Sequence, residues 1–477
     1  MIATLATFLL SLGLGYYLIT ALQWFSYKFS RVLFHYTRPR WHVYYFALPL
    51  AAFALAAIFL NPLAMLAVSV VLVFALALWT RGLSHRLVLT PKVWRFFAAL
   101  ATLAAVFAYF APASFALLAI IASLALAFAL SAVIERVLWE KFKRDARKKL
   151  NSMPNLVVVL VTASFGKTSI KNFLFHMLER DFYAAMTPRS VNTLAGIVRD
   201  INENLSENAQ IYVVEAGARS PGDIAEIARF VRPQYVVVGE IGGAHLEYFG
   251  SLDVTRATKL EALDSSRLRA AFLHSTTLRE EGGVCTIYDA LVSDVSASLD
   301  GLEFRLKTTR GEILLKSDLL GEFNAANLAV AALVALELGV SAENVIKAVQ
   351  SMPAVEHRLQ KIEAGGKLII DDSFNGNLKG MRASYELART YHGRKVLLTP
   401  GIMEGGAEQN EELGRLANEC FDLVVLTSAL NVSAIRKHLL KPEVYILTDK
   451  EKMQEFLAEN TFAGDLILFS NDAPSFM

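Results

Sequence analysis

The chain has 477 residues, 54% of them hydrophobic, with 47 Lys and Arg against 45 Asp and Glu for a formal net charge of +2. That length allows about three domains, and the apolar content is too high for a wholly soluble protein. The near balance of charge argues against a nucleic-acid partner, and two distant cysteines, Cys285 and Cys420, argue against a disulfide framework and suit a reducing compartment.

The apolar excess lies at one end. Residues 1–27, 43–80 and 96–134 contain no Asp, Glu, Lys or Arg. A spanning helix needs about 20 apolar residues, so the opening stretch predicts one span and each of the two longer stretches predicts two. Asn61-Pro62 divides the first pair and Ala111-Pro112 the second, as short turns between helices. Residues 1–134 are therefore expected to be an all-α membrane domain of five helices. Lys28, Arg31, Arg38 and Arg40 fall in one connection and Arg81, Arg86, Lys92 and Arg95 in another, while the proline turns carry none. The positive-inside rule then puts the N-terminus outside and everything after the fifth span in the cytoplasm, with the chain multi-pass in the cytoplasmic (inner) membrane. The opening span has no basic n-region and no clear cleavage site, and reads as a retained helix. Trp24, Tyr27, Trp41, Trp79 and Trp94 stand near span ends, where interfacial aromatics gather. Residues 135–152 follow as a basic amphipathic linker helix, in which Arg136, Lys141, Lys143, Arg144, Arg147, Lys148 and Lys149 suit either anionic headgroups or solvent.

From 153 onward the composition is that of an α/β enzyme. The apolar run Leu156–Val161 feeds into Thr162-Ala163-Ser164-Phe165-Gly166-Lys167-Thr168-Ser169 and then into a helical pattern. This is a strand, a phosphate loop and a helix start. Backbone N–H groups at such a turn face phosphate oxygens, Lys167 neutralises them, and the Thr168 hydroxyl can hold Mg²⁺. The loop, T-x-S-x-G-K-T-S, lacks the first glycine of the eight-residue Walker loop, which points away from GTPases and ordinary ATPases. Further strand-like runs at 211–217, 235–242, 367–373, 395–401, 422–428 and 465–470 predict doubly wound α/β architecture in two units, 153–354 and 355–477. Glu215 ends the second strand of the nucleotide unit, where a carboxylate can face the Thr168 hydroxyl across a Mg²⁺ ion, or serve as an N-cap or surface acid.

In order along the chain stand VTASFGKTSIKNF; NTLAGI at 192–197; the stretch from Val213 to Glu261 that contains VVEAGARSPGD and RATKLE; GEFNAANLAVAAL at 321–333; VEHRLQ at 355–360; and DDSFNGN at 371–377. Together these motifs resemble the ATP-dependent Mur ligases of peptidoglycan synthesis, most closely the branch that adds D-alanyl-D-alanine, over roughly residues 155–477. The resemblance implies a P-loop central domain, a Rossmann-like C-terminal domain, and amide formation between a UDP-MurNAc-tripeptide and D-Ala-D-Ala. In that chemistry a carboxylate attacks the γ-phosphate of ATP, and an amine displaces phosphate from the resulting acyl phosphate. Two anions meet in the first step, so countercharge dominates its barrier. The resemblance implies two Mg²⁺ ions, one held by Thr168 and Glu215, the other by His245 and a carbamylated Lys259. It further implies catalytic roles for Lys167, His245 and Lys259, and nucleotide contacts from Ser164, Gly166, Lys167, Thr168, Ser169, Asn324, Asn327, Arg358, Asp372 and Asn375. Asp371 or Asp372, but not both, should reach ligand.

Three departures stand out. Ala163 replaces the family's usual glycine, which requires a backbone compatible with a Cβ. Phe323 replaces the usual histidine of G-x-H-N. The family's soluble N-terminal domain for the UDP end is missing, and the apolar third stands in its place. A membrane-bound ligase for another carboxylate acceptor, similar to the polyglutamate synthases, and a non-catalytic nucleotide-binding scaffold for cell-wall enzymes are the competing readings. Expected partners are membrane lipid and other membrane-bound cell-wall enzymes.

Overall fold

A computed structural model describes every residue except 26, 28, 30, 31, 33–38, 60, 84, 244–248, 375, 404 and 472–477. The basic residues Lys28, Arg31 and Arg38 thus lie outside the described residues, as do His245 and Asn375. The chain forms two compact units, Met1–Arg144 and Asp145–Met477.

Among the described residues, five helices are long and apolar enough to cross a membrane by length and composition: Ile2–Trp24, Arg40–Ile58, Pro62–Arg81, Pro91–Phe110 and Ala113–Asn151. Their boundaries follow local chemistry. Asn61 accepts a hydrogen bond from Ala64 N at 3.0 Å and Pro62 opens the next helix, while Thr90 and Pro91 repeat the arrangement. The opening helix is central, burying Ala6, Leu10, Leu14, Tyr17 and Ala21 along one face. Its glycines permit close approach: a Cβ on Gly15 would lie 2.2 Å from a Leu100 methyl. Ser69 Oγ donates to Ala6 O at 2.8 Å, a small polar link of the kind that joins helices where apolar burial is not the driving force. Three of the tryptophans expected near span ends gather with two tyrosines. Trp79 packs 5.7 Å from Trp24 and 5.5 Å from Trp41, with Tyr17 and Tyr45 completing one aromatic cluster, whereas Trp94 stays exposed.

The fifth helix continues without a break from Ala116 to Asn151, through the basic stretch. Residues 145–151 of this helix belong to the second unit. Arg147 lies 5.4 Å from the Phe230 ring, and Arg232 donates to Asn151 Oδ1 at 2.8 Å. That end of the basic helix therefore docks on protein.

Among its described residues the second unit contains three sheets. The first has strands β1 (Val157–Thr162), β2 (Ala184–Met186), β3 (Ile211–Glu215), β4 (Tyr235–Val238), β5 (Ala270–Leu273) and β6 (Cys285–Ile287), all parallel, in the order β2-β3-β1-β4-β5-β6. β1, β3 and β4 are buried almost throughout, as expected for strands covered on both faces. The second sheet is antiparallel and was not expected from the apolar runs: β7 (Val292–Ser298), β8 (Gly301–Thr308) and β9 (Gly311–Ser317). In β8, Leu302, Phe304 and Leu306 point inward at a period of two and join the core around the helix Phe323–Glu337. That helix is mostly apolar and buries ten of its fifteen residues, the two asparagines near its start among them. The third sheet comprises β10 (Gln360–Ala364), β11 (Lys367–Asp372), β12 (Lys395–Thr399), β13 (Leu423–Leu426), β14 (Glu443–Ile446) and β15 (Leu466–Ser470), ordered β10-β11-β15-β12-β13-β14, with only β10 antiparallel. Its parallel strands are the second doubly wound core.

Candidate functional site

The loop between β1 and the helix Lys167–Leu178 is fixed by its neighbours. Ser164 N donates to Glu240 O at 2.8 Å and Ser164 Oγ to Gly242 O at 3.2 Å, which ties the loop to the segment after β4. Gly166 caps the helix at φ +76°, and a Cβ there would lie 2.7 Å from Asn327 Oδ1. Both the dihedral and the close approach demand glycine. Ala163 keeps a negative-φ backbone, so its Cβ is tolerated; that Cβ is buried over Gly239, where a second one would stand 2.9 Å away. The missing glycine is thus balanced by a glycine on the facing segment.

Lys167 Nζ donates to Ala163 O at 2.9 Å and Ser164 O at 3.1 Å, inside the loop it serves. Burial pushes its pKa down, Glu215 pulls it up, and the Arg358 guanidinium adds a further downward push. Thr168 Oγ1 donates to Glu215 Oε2 at 3.1 Å, because the β1–β3 register sets Glu215 beside Val161 at the carboxyl end of the sheet. Ser169 is buried in the same first helical turn.

Glu215 has two partners that the motif reading did not single out. Lys171, fully buried, holds its Nζ 3.4 Å from Glu215 Oε2 and donates to the carbonyls of Thr187, at 2.8 Å, and Arg189. Asn192 Nδ2 donates to Glu215 Oε1 at 3.1 Å. The carboxylate is therefore held by a hydroxyl, an ammonium and an amide. A sequence signal for Lys171 existed: it shares a helix with the core residues Ile170, Phe173, Leu174 and Met177, and a lysine among core positions needs an acid.

Lys259 lies in the last turn of the helix Leu252–Leu260 and is only 4% exposed. Burial, reinforced by the Lys167 ammonium and opposed by Asp223, Glu261 and Glu215, pushes its pKa down to about 7. Asn327 donates to Asn324 Oδ1 at 3.1 Å, and Asn324 to Leu320 O at 2.8 Å; through the Gly166 contact this pair is brought against the phosphate loop. Phe323, one residue earlier, is partly exposed.

Arg358, two residues before β10, and Asp372, at the end of β11, come from the C-terminal part of the chain. Arg358 Nη1 donates to Phe374 O at 2.9 Å; burial lowers its pKa, against the pull of Asp372 and Glu215. The two acids that end β11 have separate fates. Asp371 accepts from Ser373 N at 3.1 Å and Ser373 Oγ at 2.6 Å and meets His357 Nδ1 at 2.7 Å, so its oxygens are used internally. Asp372, buried beside Ser470 in the β15 register, is the one that electrostatically faces Arg358. Lys379 pairs with Glu240, linking the helix Leu378–Arg389 to the segment that holds the loop.

Among the described residues no group of three or more His, Cys, Asp or Glu could hold a metal by itself. Thr168 and Glu215 nevertheless offer the hard oxygen donors that suit Mg²⁺, an ion that commonly takes one or two protein ligands and completes its shell with water and substrate phosphate.

Comparison with known proteins adds the family. Residues 161–335 match the Mur ligase middle domain, and residues 357–471 match the Mur ligase, glutamate ligase domain. A UDP-N-acetylmuramoyl-tripeptide–D-alanyl-D-alanine ligase of Bacillus subtilis is 27% identical over 335 residues, covering 65% of this chain and 72% of that enzyme. The solved structure of a UDP-N-acetylmuramoylalanyl-D-glutamyl-2,6-diaminopimelate–D-alanyl-D-alanyl ligase from Acinetobacter baumannii superposes with TM-score 0.61 at 25% identity, covering 69% of this chain and 76% of that one. A MurF ligase of Thermotoga maritima, solved in complex with ADP, shares the fold with TM-score 0.59 at 24% identity, covering 70% of this chain and 80% of that one. With both catalytic domains matched in order over more than half its length, around one intact phosphate loop, the chain belongs to the Mur ligase family of ATP-dependent ligases.

Proposed function

We propose that this protein joins D-Ala-D-Ala to the carboxyl end of a UDP-MurNAc-tripeptide at the expense of ATP, from an anchor in the cytoplasmic membrane. The observation that carries the reading is the Thr168–Glu215 hydrogen bond beside Lys167 on the phosphate loop of a Mur ligase chain. The substrates come from the D-alanyl-D-alanine ligases that it resembles.

Each residue has a physical task. Lys167 neutralises the outer phosphate oxygens, with Ser164, Gly166 and Ser169 shaping the loop around them. Thr168 and Glu215 would hold one Mg²⁺, whose charge would lower the cost of bringing carboxylate to phosphate. Arg358 would take a phosphate oxygen by its planar donor fork, and Asp372 would accept from ribose hydroxyls. Asn324 and Asn327 line the nucleotide side, and Asn375 belongs to the same expected set. A second Mg²⁺ would take His245 and a carbamate on Lys259; the depressed Lys259 pKa supports the second of these, because only a neutral amine takes up CO₂.

The apolar third supports membrane insertion, with lipid and neighbouring membrane-bound cell-wall enzymes as its partners. For the orientation argued from the basic loops, cysteines placed at Asn61 or Ala113 are expected to react with an impermeant thiol reagent from outside, and those at Arg38 or Arg86 to stay protected. The opposite labelling pattern would reverse the topology.

Phosphate release tests the substrate assignment. Release should require both the tripeptide nucleotide and D-Ala-D-Ala. Release with glutamate and another acceptor instead would favour the polyglutamate-synthase-like alternative, and none with any pair would favour a scaffold.

A further inference from the structure

Arg358 sits between two non-glycine residues in the left-handed region, His357 at φ +62° and Leu359 at φ +53°. Such backbone persists only where surrounding contacts over-determine it, and it gathers at functional sites. Leu359 is held by burial in the C-terminal core. His357 is held by its side chain. Its Nδ1 lies 2.7 Å from Asp371 Oδ2, so this nitrogen carries the proton and donates to the carboxylate. Its ring rests 5.1 Å from the Phe374 ring, and its carbonyl accepts from Phe374 N at 3.3 Å. Phe374 in turn offers its carbonyl to Arg358 Nη1 at 2.9 Å and its ring 5.7 Å from the guanidinium.

These contacts form one closed circuit. Asp371 fixes His357 and, through Ser373, the start of the turn after β11; His357 and the turn then fix Arg358 from its backbone side and its side-chain side. The guanidinium so aimed shares its field with Glu215 and with Lys167, the two charges of the phosphate loop. We infer that His357, locked by Asp371, is a positioning residue that presets Arg358 toward the γ-phosphate of the bound nucleotide. The inference rests on the proposed role of Arg358 at phosphate. It deepens that role by explaining why a strained histidine precedes the arginine and why Asp371 is withheld from ligand.

The test is a double-mutant cycle on the full-length protein, read by kcat and by the affinity ratio of a β,γ-imido ATP analogue to ADP. Glycine and asparagine both accept a left-handed backbone, and asparagine Nδ2 occupies the place of histidine Nδ1. His357→Gly should lower kcat about tenfold or more and reduce the preference for the triphosphate by a similar factor, with a smaller change in the affinity for ADP. His357→Asn should restore most of both. In an Arg358→Met background, His357→Gly should change the triphosphate preference by less than about twofold, because the residue through which it acts is gone. Should the glycine variant not melt cooperatively, His357→Asp, which accepts the backbone but repels Asp371, takes its place.

An equal loss in both backgrounds would overturn the inference, as would a change in melting temperature with kcat and preference intact. If Arg358→Met leaves the triphosphate preference unchanged, the role of Arg358 itself fails and the inference falls with it. If Arg358→Met destroys the preference and His357→Gly does not, only the inference falls.

Discussion

Lys259→Arg is expected to remove turnover by about a hundredfold or more while leaving the protein folded. Guanidinium stays charged at every accessible pH and cannot take up CO₂, so the substitution keeps the sign of an ordinary lysine and deletes the proposed ligand. An exposed structural lysine would tolerate the change within about 0.5 kcal/mol. Lys259→Ala should be similarly inactive, and a small added carboxylate should restore part of its rate. The pH dependence has a definite direction. With the folded-state pKa down at about 7, the amine is neutral above that value and protonated below it, so carbamate-dependent turnover should fall as pH drops through 7. The uncarbamylated protein should gain stability as pH rises from about 7 toward the unfolded lysine value of about 10.4, because over that window the unfolded chain binds the extra proton. Near-normal turnover by Lys259→Arg at saturating Mg²⁺ would remove the carbamate from the account.

The second large effect concerns the buried pair Lys171 and Glu215, which are 0% and 1% exposed at the side chain. Removing one member strands the other charge in the interior, so Lys171→Met or Glu215→Gln alone should destabilise the protein by about 3–5 kcal/mol in urea unfolding. The double variant Lys171→Met with Glu215→Gln should recover much of that stability, since no unpaired charge remains. It should recover none of the turnover, because a neutral amide is a poor Mg²⁺ ligand beside Thr168. Recovery of activity together with stability would show that Glu215 serves the fold alone. The two readouts therefore separate packing from chemistry at one position.

Much of this site is legible in the sequence. The phosphate loop, the end of β3 at Glu215 and the end of β11 at Asp372 all sit where apolar runs stop at polar residues, and a parallel strand buried on both faces writes that pattern plainly. The helix breaks at Pro62 and Pro112 were equally plain, since proline has no N–H to donate. What escaped notice depended on partners distant in sequence. In the antiparallel sheet β7–β9, β8 and the end of β9 alternate buried and exposed residues and β7 is exposed almost throughout, so a search for apolar runs passes over it. Lys171 and Asn192 gain their meaning only when β3 brings Glu215 between them, and His357 only when β11 brings Asp371 to its ring. Ala163 illustrates the same point. Its tolerance is decided by Gly239, 76 residues away along the chain and facing it across the fold.

The central claim is that the carboxylate is activated by phosphoryl transfer before the amide forms, and oxygen tracing tests it most directly. A tripeptide nucleotide carrying ¹⁸O in its terminal carboxylate would be incubated with ATP, Mg²⁺ and D-Ala-D-Ala, and the released phosphate and the new peptide analysed by mass spectrometry. Attack by the carboxylate on the γ-phosphate leaves one carboxylate oxygen on the phosphorus when the amine displaces it. The expected result is one ¹⁸O per phosphate released and one extended peptide formed for each. Unlabelled phosphate, or phosphate released without any extended peptide, would contradict the assignment of this chain as an acyl-phosphate ligase.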